Sequence, residues 1–280
     1  MLLLDNIEET PFMQLAPNLF KRALAAKQPQ IGIWSTLPHP YVSEIVAGCG
    51  YDWILLDTEH TPTDVPGMLH QLQAVSAARE SKTTAIVRPA WNDPVLIKRY
   101  LDIGAQTILL PFVQDADEAR AAVAAIRYAP HGIRGMGGST RASNFGRVAD
   151  YAQKCEEELC LLVQIETQEA LDRLEEIANV DGVDGVFIGP ADLSASMGYP
   201  GDTGHPEVRA AIDSAIRRIR DCGKAPGILL TDEARARDAL DKGALFVAVA
   251  MDMLILARGA EAVAAKFKTG SDVPSSSATY

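Results

Sequence analysis

Eight short, largely apolar runs, separated by stretches of helical period, predict an α/β chain closed into a (β/α)8 barrel. The runs are four to six residues long, as strands buried on both faces are. The segments between them are rich in helix formers and carry helix start and stop signals. A doubly wound open sheet is the alternative. No G-x-G-x-x-G follows the first run, which takes weight from its dinucleotide-binding version. At 280 residues and 48% hydrophobic, the chain is large enough to bury the core of a single barrel.

In chain order the predicted strands are 31–35, 53–57, 85–88, 107–110, 161–166, 186–189, 227–230 and 245–250. Helices are predicted over 115–128, 168–178, 206–221 and 231–242. His205-Pro206-Glu207 and Thr231-Asp232-Glu233 read as helix starts, with proline or an acid in the first turn. Cys222-Gly223 and Lys242-Gly243 read as helix stops. Ala129–Val148, rich in Gly, Arg and Ser, breaks the rhythm, and a long loop there belongs at the active face or at an interface. The expected division is an N-terminal extension over 1–18, one barrel domain over 19–268, and a Ser-rich disordered tail over 269–280.

The net charge of -11 argues against nucleic acid and against an anionic membrane surface as partners. Four scattered cysteines, none in a C-x-x-C pair, read as small buried hydrophobes in a reducing compartment. The apolar start at Met1–Leu4 lacks a basic region and turns acidic at once, unlike a signal peptide. No apolar run is long enough to span a bilayer. Together these features predict a cytoplasmic protein.

The chemistry concentrates at strand ends. The runs Leu161–Glu166 and Gly185–Asp192 each finish on an acid, and side chains at the carboxyl ends of parallel strands converge on one site. Two carboxylates there would repel each other, and a divalent cation such as Mg²⁺ or Mn²⁺ is their natural partner. Leu55-Leu56-Asp57-Thr58-Glu59-His60 puts a histidine beside two acids. An Asp57–His60 pair would suit acid–base work, while a hydrogen-bonded structural imidazole is the competing reading. Arg88 ends the third run, suited to a carboxylate or a developing enolate, or else to a salt bridge at the barrel end. Gly189-Pro190-Ala191-Asp192 offers backbone N–H groups to an anion if a helix starts there. His131–Gly138 is Gly-rich without a following G-K-[ST], and reads as a lid or a subunit contact rather than a phosphate loop.

Taken together, Leu56–His60, Val87–Pro94, Gly132–Gly135, Val163–Glu166, Val186–Ser194 and Gly243–Val249 closely resemble the HpcH/HpaI aldolases, metal-dependent (class II) pyruvate aldolases. The resemblance spans about Leu19 to Phe267, with the motifs in matching order. It implies a phosphoenolpyruvate/pyruvate-type TIM barrel in which Glu166 and Asp192 bind Mg²⁺, Mn²⁺ or Co²⁺. It implies that Arg88 stabilises a pyruvate enolate and that His60, supported by Asp57, is the acid–base residue. Gln164 would stand beside the metal, and the backbone around Ala191 and Asp192 would receive the pyruvate carboxylate. Leu229 would contact the aldehyde, Glu59 would support the site, and Asp102 would reach it across a subunit boundary. The last helix would swap onto a partner, and dimers would form a hexamer. Thr58 stands where many relatives have glycine, and the loop Gly137–Phe145, which helps shape the outer pocket, is slightly shorter here.

The expected reaction is reversible cleavage of a 4-hydroxy-2-oxo acid to pyruvate and an aldehyde through a metal-stabilised enolate. No lysine ends a predicted strand, which disfavours a Schiff-base mechanism. The competing readings are an oxaloacetate-decarboxylating, macrophomate-synthase-like enzyme and a non-catalytic barrel that binds a 2-oxo acid.

Overall fold

The computed structural model describes residues 13–268, and eight parallel strands there close a barrel in sequence order. They are β1 (Gln30–Ser35), β2 (Trp53–Asp57), β3 (Thr84–Arg88), β4 (Thr107–Leu110), β5 (Cys160–Ile165), β6 (Gly185–Ile188), β7 (Ala225–Leu229) and β8 (Phe246–Met251). The helices are α1 (Leu19–Ala25), α2 (Pro40–Ala47), α3 (Val65–Ala77), α4 (Pro94–Asp102), α5 (Ala116–Ile126), α6 (Tyr151–Glu158), α7 (Gln168–Asp172), α8 (Leu174–Ala178), α9 (Pro190–Ser196), α10 (Pro206–Asp221), α11 (Glu233–Asp241) and α12 (Asp252–Phe267). The expected tail over 269–280 and the first twelve residues of the expected extension lie outside the described residues. Among the described residues no helix is long and apolar enough to cross a membrane.

Two apolar layers follow from the alternation of side chains along each strand. Inside the barrel, Trp34, Trp53, Leu55, Leu162, Phe187 and Phe246 pack on one another. Phe20 of α1 closes the amino-terminal end edge-on, its ring 5.7 Å from Phe246 and 6.1 Å from Trp53. A Cβ on Gly227 would overlap the Phe246 ring, so this strand position requires glycine. The outer layer fills the space between strands and helices with residues such as Ile54, Val87, Ile97, Leu161 and Ile216.

Several boundaries differ from expectation for local reasons. β7 begins two residues earlier than predicted and carries Pro226 inside it, whose carbonyl accepts from the Leu245 N–H at 2.8 Å. The helix expected over 168–178 is two, broken at Arg173, whose φ of -103° and ψ of 16° leave the helical region. Helix α10 has the expected span, with His205 Nδ1 accepting from the Glu207 N–H and Gly223 at φ 75° just past its end.

The segment Ala129–Val148 corrects an expectation. It joins α5 to α6, so it lies at the amino-terminal end of the strands, away from the face where strand-end side chains converge. Its arginines confirm the placement: Arg134 meets Asp102 at 2.9 Å and Arg141 donates to the Ile103 carbonyl at 2.7 Å, both where α4 ends. An active-face lid is therefore excluded within one chain, and Gly137–Phe145 shapes no pocket over its own site. At the opposite end, Asp252 seals the β1–β8 seam. Its buried carboxylate accepts from the Ser35 hydroxyl at 2.7 Å and the Thr36 N–H at 2.9 Å.

Candidate active site

The strand register brings the site together. Asp57 and Arg88 are paired residues at the ends of β2 and β3. Both are buried, and Asp57 Oδ1 and Oδ2 accept from Arg88 Nε and Nη2, each at 2.8 Å, a bidentate fork. Arg88 Nη1 lies 2.7 Å from Glu59 Oε2, a charge contact off the hydrogen-bond axis. The guanidinium carbon sits 4.6 Å from the Trp34 ring centroid, so the fork is also held from below. Thr58 fits without disturbance, its hydroxyl donating to the Arg88 carbonyl at 2.7 Å.

This arrangement overturns the expected Asp57–His60 pair. Both Asp57 oxygens face Arg88, and His60 stands in an exposed position with Nε2 3.7 Å from Glu59 Oε2. The two residues are close in sequence, but the strand ends at Asp57 and the chain turns outward before His60.

Glu166 is the first residue past β5 and is buried. Its Oε1 accepts from the Phe112 N–H at 2.8 Å, and its Oε2 accepts from Gln164 Nε2. A Cβ on Gly189 would stand 2.7 Å from Glu166 Oε2, so the glycine that precedes α9 leaves room for the carboxylate. Asp192 lies in the first turn of α9, exposed to solvent. Burial pushes Glu166 up to about 7; repulsion from Glu59 and Asp192 adds to this, and the Gln164 and Phe112 donors oppose it. Burial likewise pushes Glu59 up to about 7 against the pull of Arg88, with Asp57 and Asp192 adding repulsion.

These residues fit a hard divalent cation. The carboxylates repel one another, and Gln164 Oε1 is a buried acceptor without a partner. Among the described residues no three His, Cys, Asp or Glu side chains are gathered to hold a metal by themselves. Glu166 and Asp192 make a set of two, as suits Mg²⁺, which is commonly bound by one or two carboxylates while substrate and water oxygens supply the rest.

Leu229 ends β7 on the same face, half-buried. Asp102 does not join its own chain's site: it ends α4 at the amino-terminal side of the barrel, paired with Arg134. Trp34 and Phe112 went unrecognised in the sequence. An aromatic residue near the end of β1 was a usable sign for the first; the second acts through its backbone and leaves no side-chain signature.

The family model for HpcH/HpaI aldolase/citrate lyase matches residues 30–258. The chain belongs to this family. It is 59% identical over 257 residues to a protein of Rhizobium etli named pyruvate aldolase, covering 92% of this chain and 100% of that one. It is 54% identical over 264 residues to a Salmonella dublin protein named 4-hydroxy-2-oxo-heptane-1,7-dioate aldolase, covering 94% and 99%. A solved HpcH/HpaI-family structure from Burkholderia cenocepacia superposes with a TM-score of 0.86 at 35% identity, covering 89% and 99%. Membership makes the chain a carbon–carbon lyase of the aldolase type.

Proposed function

We propose that this enzyme reversibly cleaves a 4-hydroxy-2-oxo acid to pyruvate and an aldehyde. The observation that carries the reading is the buried Arg88 guanidinium, clamped by Asp57 and Glu59 on the same face as Glu166. A divalent cation held by Glu166 and Asp192, with Mg²⁺, Mn²⁺ and Co²⁺ as the candidates, supplies Lewis acidity toward the 2-oxo acid and offsets the crowded carboxylates.

The chain's own residues do the rest. Arg88 keeps N–H groups beyond those given to Asp57, and these meet the oxygen on which enolate charge grows. Asp57 fixes the fork, a role in place of the one expected toward His60. The N–H groups of Ala191 and Asp192, in the first turn of a helix without a side-chain cap, receive the substrate carboxylate. Gln164 offers its free Oε1 beside the acids, and Leu229 lines the aldehyde side. His60 removes the C4 hydroxyl proton as the C3–C4 bond breaks. The bond electrons pass into the enolate, and a proton then returns to C3 to give the pyruvate methyl group. Condensation runs the same steps backwards.

The working form we propose is a cytoplasmic homo-oligomer, a hexamer built as a trimer of dimers with α12 swapped onto a partner. Its support is the exposed apolar face of α12, with Met253, Ile255, Leu256, Val263 and Phe267 open and only Asp252 buried. Light scattering reads the assembly, and a monomer at micromolar concentration refutes it.

The decisive test of activity uses protein stripped with EDTA and reloaded with each metal. It is offered pyruvate and a panel of aldehydes, and pyruvate methyl-proton exchange is followed in D2O. The expected result is loss on chelation and recovery on reloading. Full activity after exhaustive chelation sinks the metal assignment, and neither exchange nor aldol product with any metal sinks the reaction.

A further inference from the structure

Phe112, just past β4, has a φ of 55°, in the left-handed region that a bulky side chain occupies only at a cost. In that conformation its N–H donates to Glu166 Oε1 at 2.8 Å, and the next N–H, from Val113, donates to the Gln164 carbonyl at 3.0 Å. Two successive donors thus face two residues at the end of β5. Relaxing Phe112 to an extended conformation would redirect the chain after it, pull the Val113 N–H off the Gln164 carbonyl and undo the turn in which both donors are held.

Val113 is fully buried, but burial does not fix Phe112 itself, which is 39% exposed. Its ring instead stacks on Trp91, with centroids 5.6 Å apart and 29° between planes, and Trp91 is itself 53% exposed. The two rings stand on neighbouring loops of the active face, after β3 and β4. Asn92 Nδ2 donates to the Glu118 carbonyl at 3.0 Å and the Gln114 N–H donates to Glu118 Oε2 at 2.8 Å, tying both loops to the start of α5.

We propose that Trp91 is a positioning residue: stacked on Phe112, its indole holds the left-handed turn that keeps the Phe112 and Val113 N–H groups together on Glu166 and Gln164, and so sets that carboxylate for the divalent cation. This rests on the metal reading above. Trp91 acts through Phe112 and touches neither the carboxylate nor the reacting atoms.

Two measurements on the metal-free protein test it: Mn²⁺ titration read by electron paramagnetic resonance, and hydrogen exchange at the Phe112 amide. Trp91→Ala is expected to weaken Mn²⁺ binding roughly five- to thirty-fold, the cost of holding one non-glycine residue in the left-handed region without support. It should also speed exchange at Phe112, and Trp91→Tyr should restore both. Phe112→Ala should behave like Trp91→Ala. Phe112→Gly should stay within about threefold of the unaltered chain, because glycine adopts positive φ freely. In the Phe112→Gly background, Trp91→Ala should change nothing further. Affinity and exchange unchanged in Trp91→Ala overturn the proposal, and so does a glycine variant weaker than the alanine one. If the unaltered chain binds no Mn²⁺, the metal reading fails by itself. The exchange comparison then decides the clamp alone: faster exchange in Trp91→Ala sustains it, and unchanged exchange overturns it.

Discussion

Replacing Asp57 with Asn asks which neighbour this acid serves. Asp57 is 2% exposed and places one oxygen on Arg88 Nε and the other on Nη2, both at 2.8 Å. Asparagine keeps the shape and one acceptor, so one charge-assisted hydrogen bond is lost and an amide NH2 is set against a guanidinium N–H. A hydrogen bond to a charged group is worth about 1.5–3 kcal/mol. Expressed fully where enolate charge grows, that is roughly a 10- to 150-fold loss of rate. Glu59, 2.7 Å from Nη1, still holds the far side of the fork, so the loss should not exceed this range. The assay is pyruvate methyl-proton exchange in D2O with Mg²⁺, followed by proton NMR, beside aldol cleavage on the same preparation. Both should fall together. If cleavage falls while exchange is untouched, Asp57 acts through His60 and the assignment drawn from the fork is wrong.

Arg88→Ala strands two acids beside the vacated position and should cost about 3–5 kcal/mol in urea unfolding, the usual penalty for breaking a buried ion pair; a stability equal to that of the unaltered chain would contradict the clamp. Arg88→Lys should recover part of that stability but little exchange, since a point charge lacks the planar fork. His60→Ala should lower aldol cleavage about 10²–10⁴-fold while largely sparing methyl exchange; equal losses in both reactions would place His60 at the enolate step. Asp252→Ala removes the acceptor shared by the Ser35 hydroxyl and the Thr36 and Met253 N–H groups, and should cost about 2–3 kcal/mol. A urea midpoint shift too small for that cost would show that the seam is held by other contacts.

The barrel was legible because each strand is short, apolar and punctuated. The ends of α10 could be placed because His205, Pro206 and Gly223 announce them. Pro226 hid the true start of β7, since a proline inside a strand reads as a boundary. Asp57, Arg88, Glu166 and Leu229 were legible as strand-end side chains, but their partners were not. Asp57 was matched to His60, three residues along the chain, although the β2–β3 register sets it beside Arg88. Contacts across a sheet depend on register, which a local window does not contain. For Ala129–Val148 the active-face alternative fails for another reason: Gly and Arg content drew attention to chemistry, whereas its position between a helix and the next strand already fixed the opposite face. Phe112 could not have been found by residue type, because what it contributes is an amide direction.

The pairing of β1 with β8, from Gln30↔Phe246 to Trp34↔Met251, has a consequence for synthesis. Every candidate site residue from Asp57 to Leu229 precedes β8 in the chain. A nascent polypeptide therefore holds all its chemistry well before it holds a closed wall. Until Phe246–Met251 have left the ribosome, β1 and β7 each offer an unpaired strand edge, the kind of surface that recruits another chain. Asp252, the residue directly after β8, then locks the seam by binding Ser35 and Thr36 from the far side of the gap. Catalytic competence thus arrives late and all at once, and the interval before it is when this protein is most exposed to aggregation.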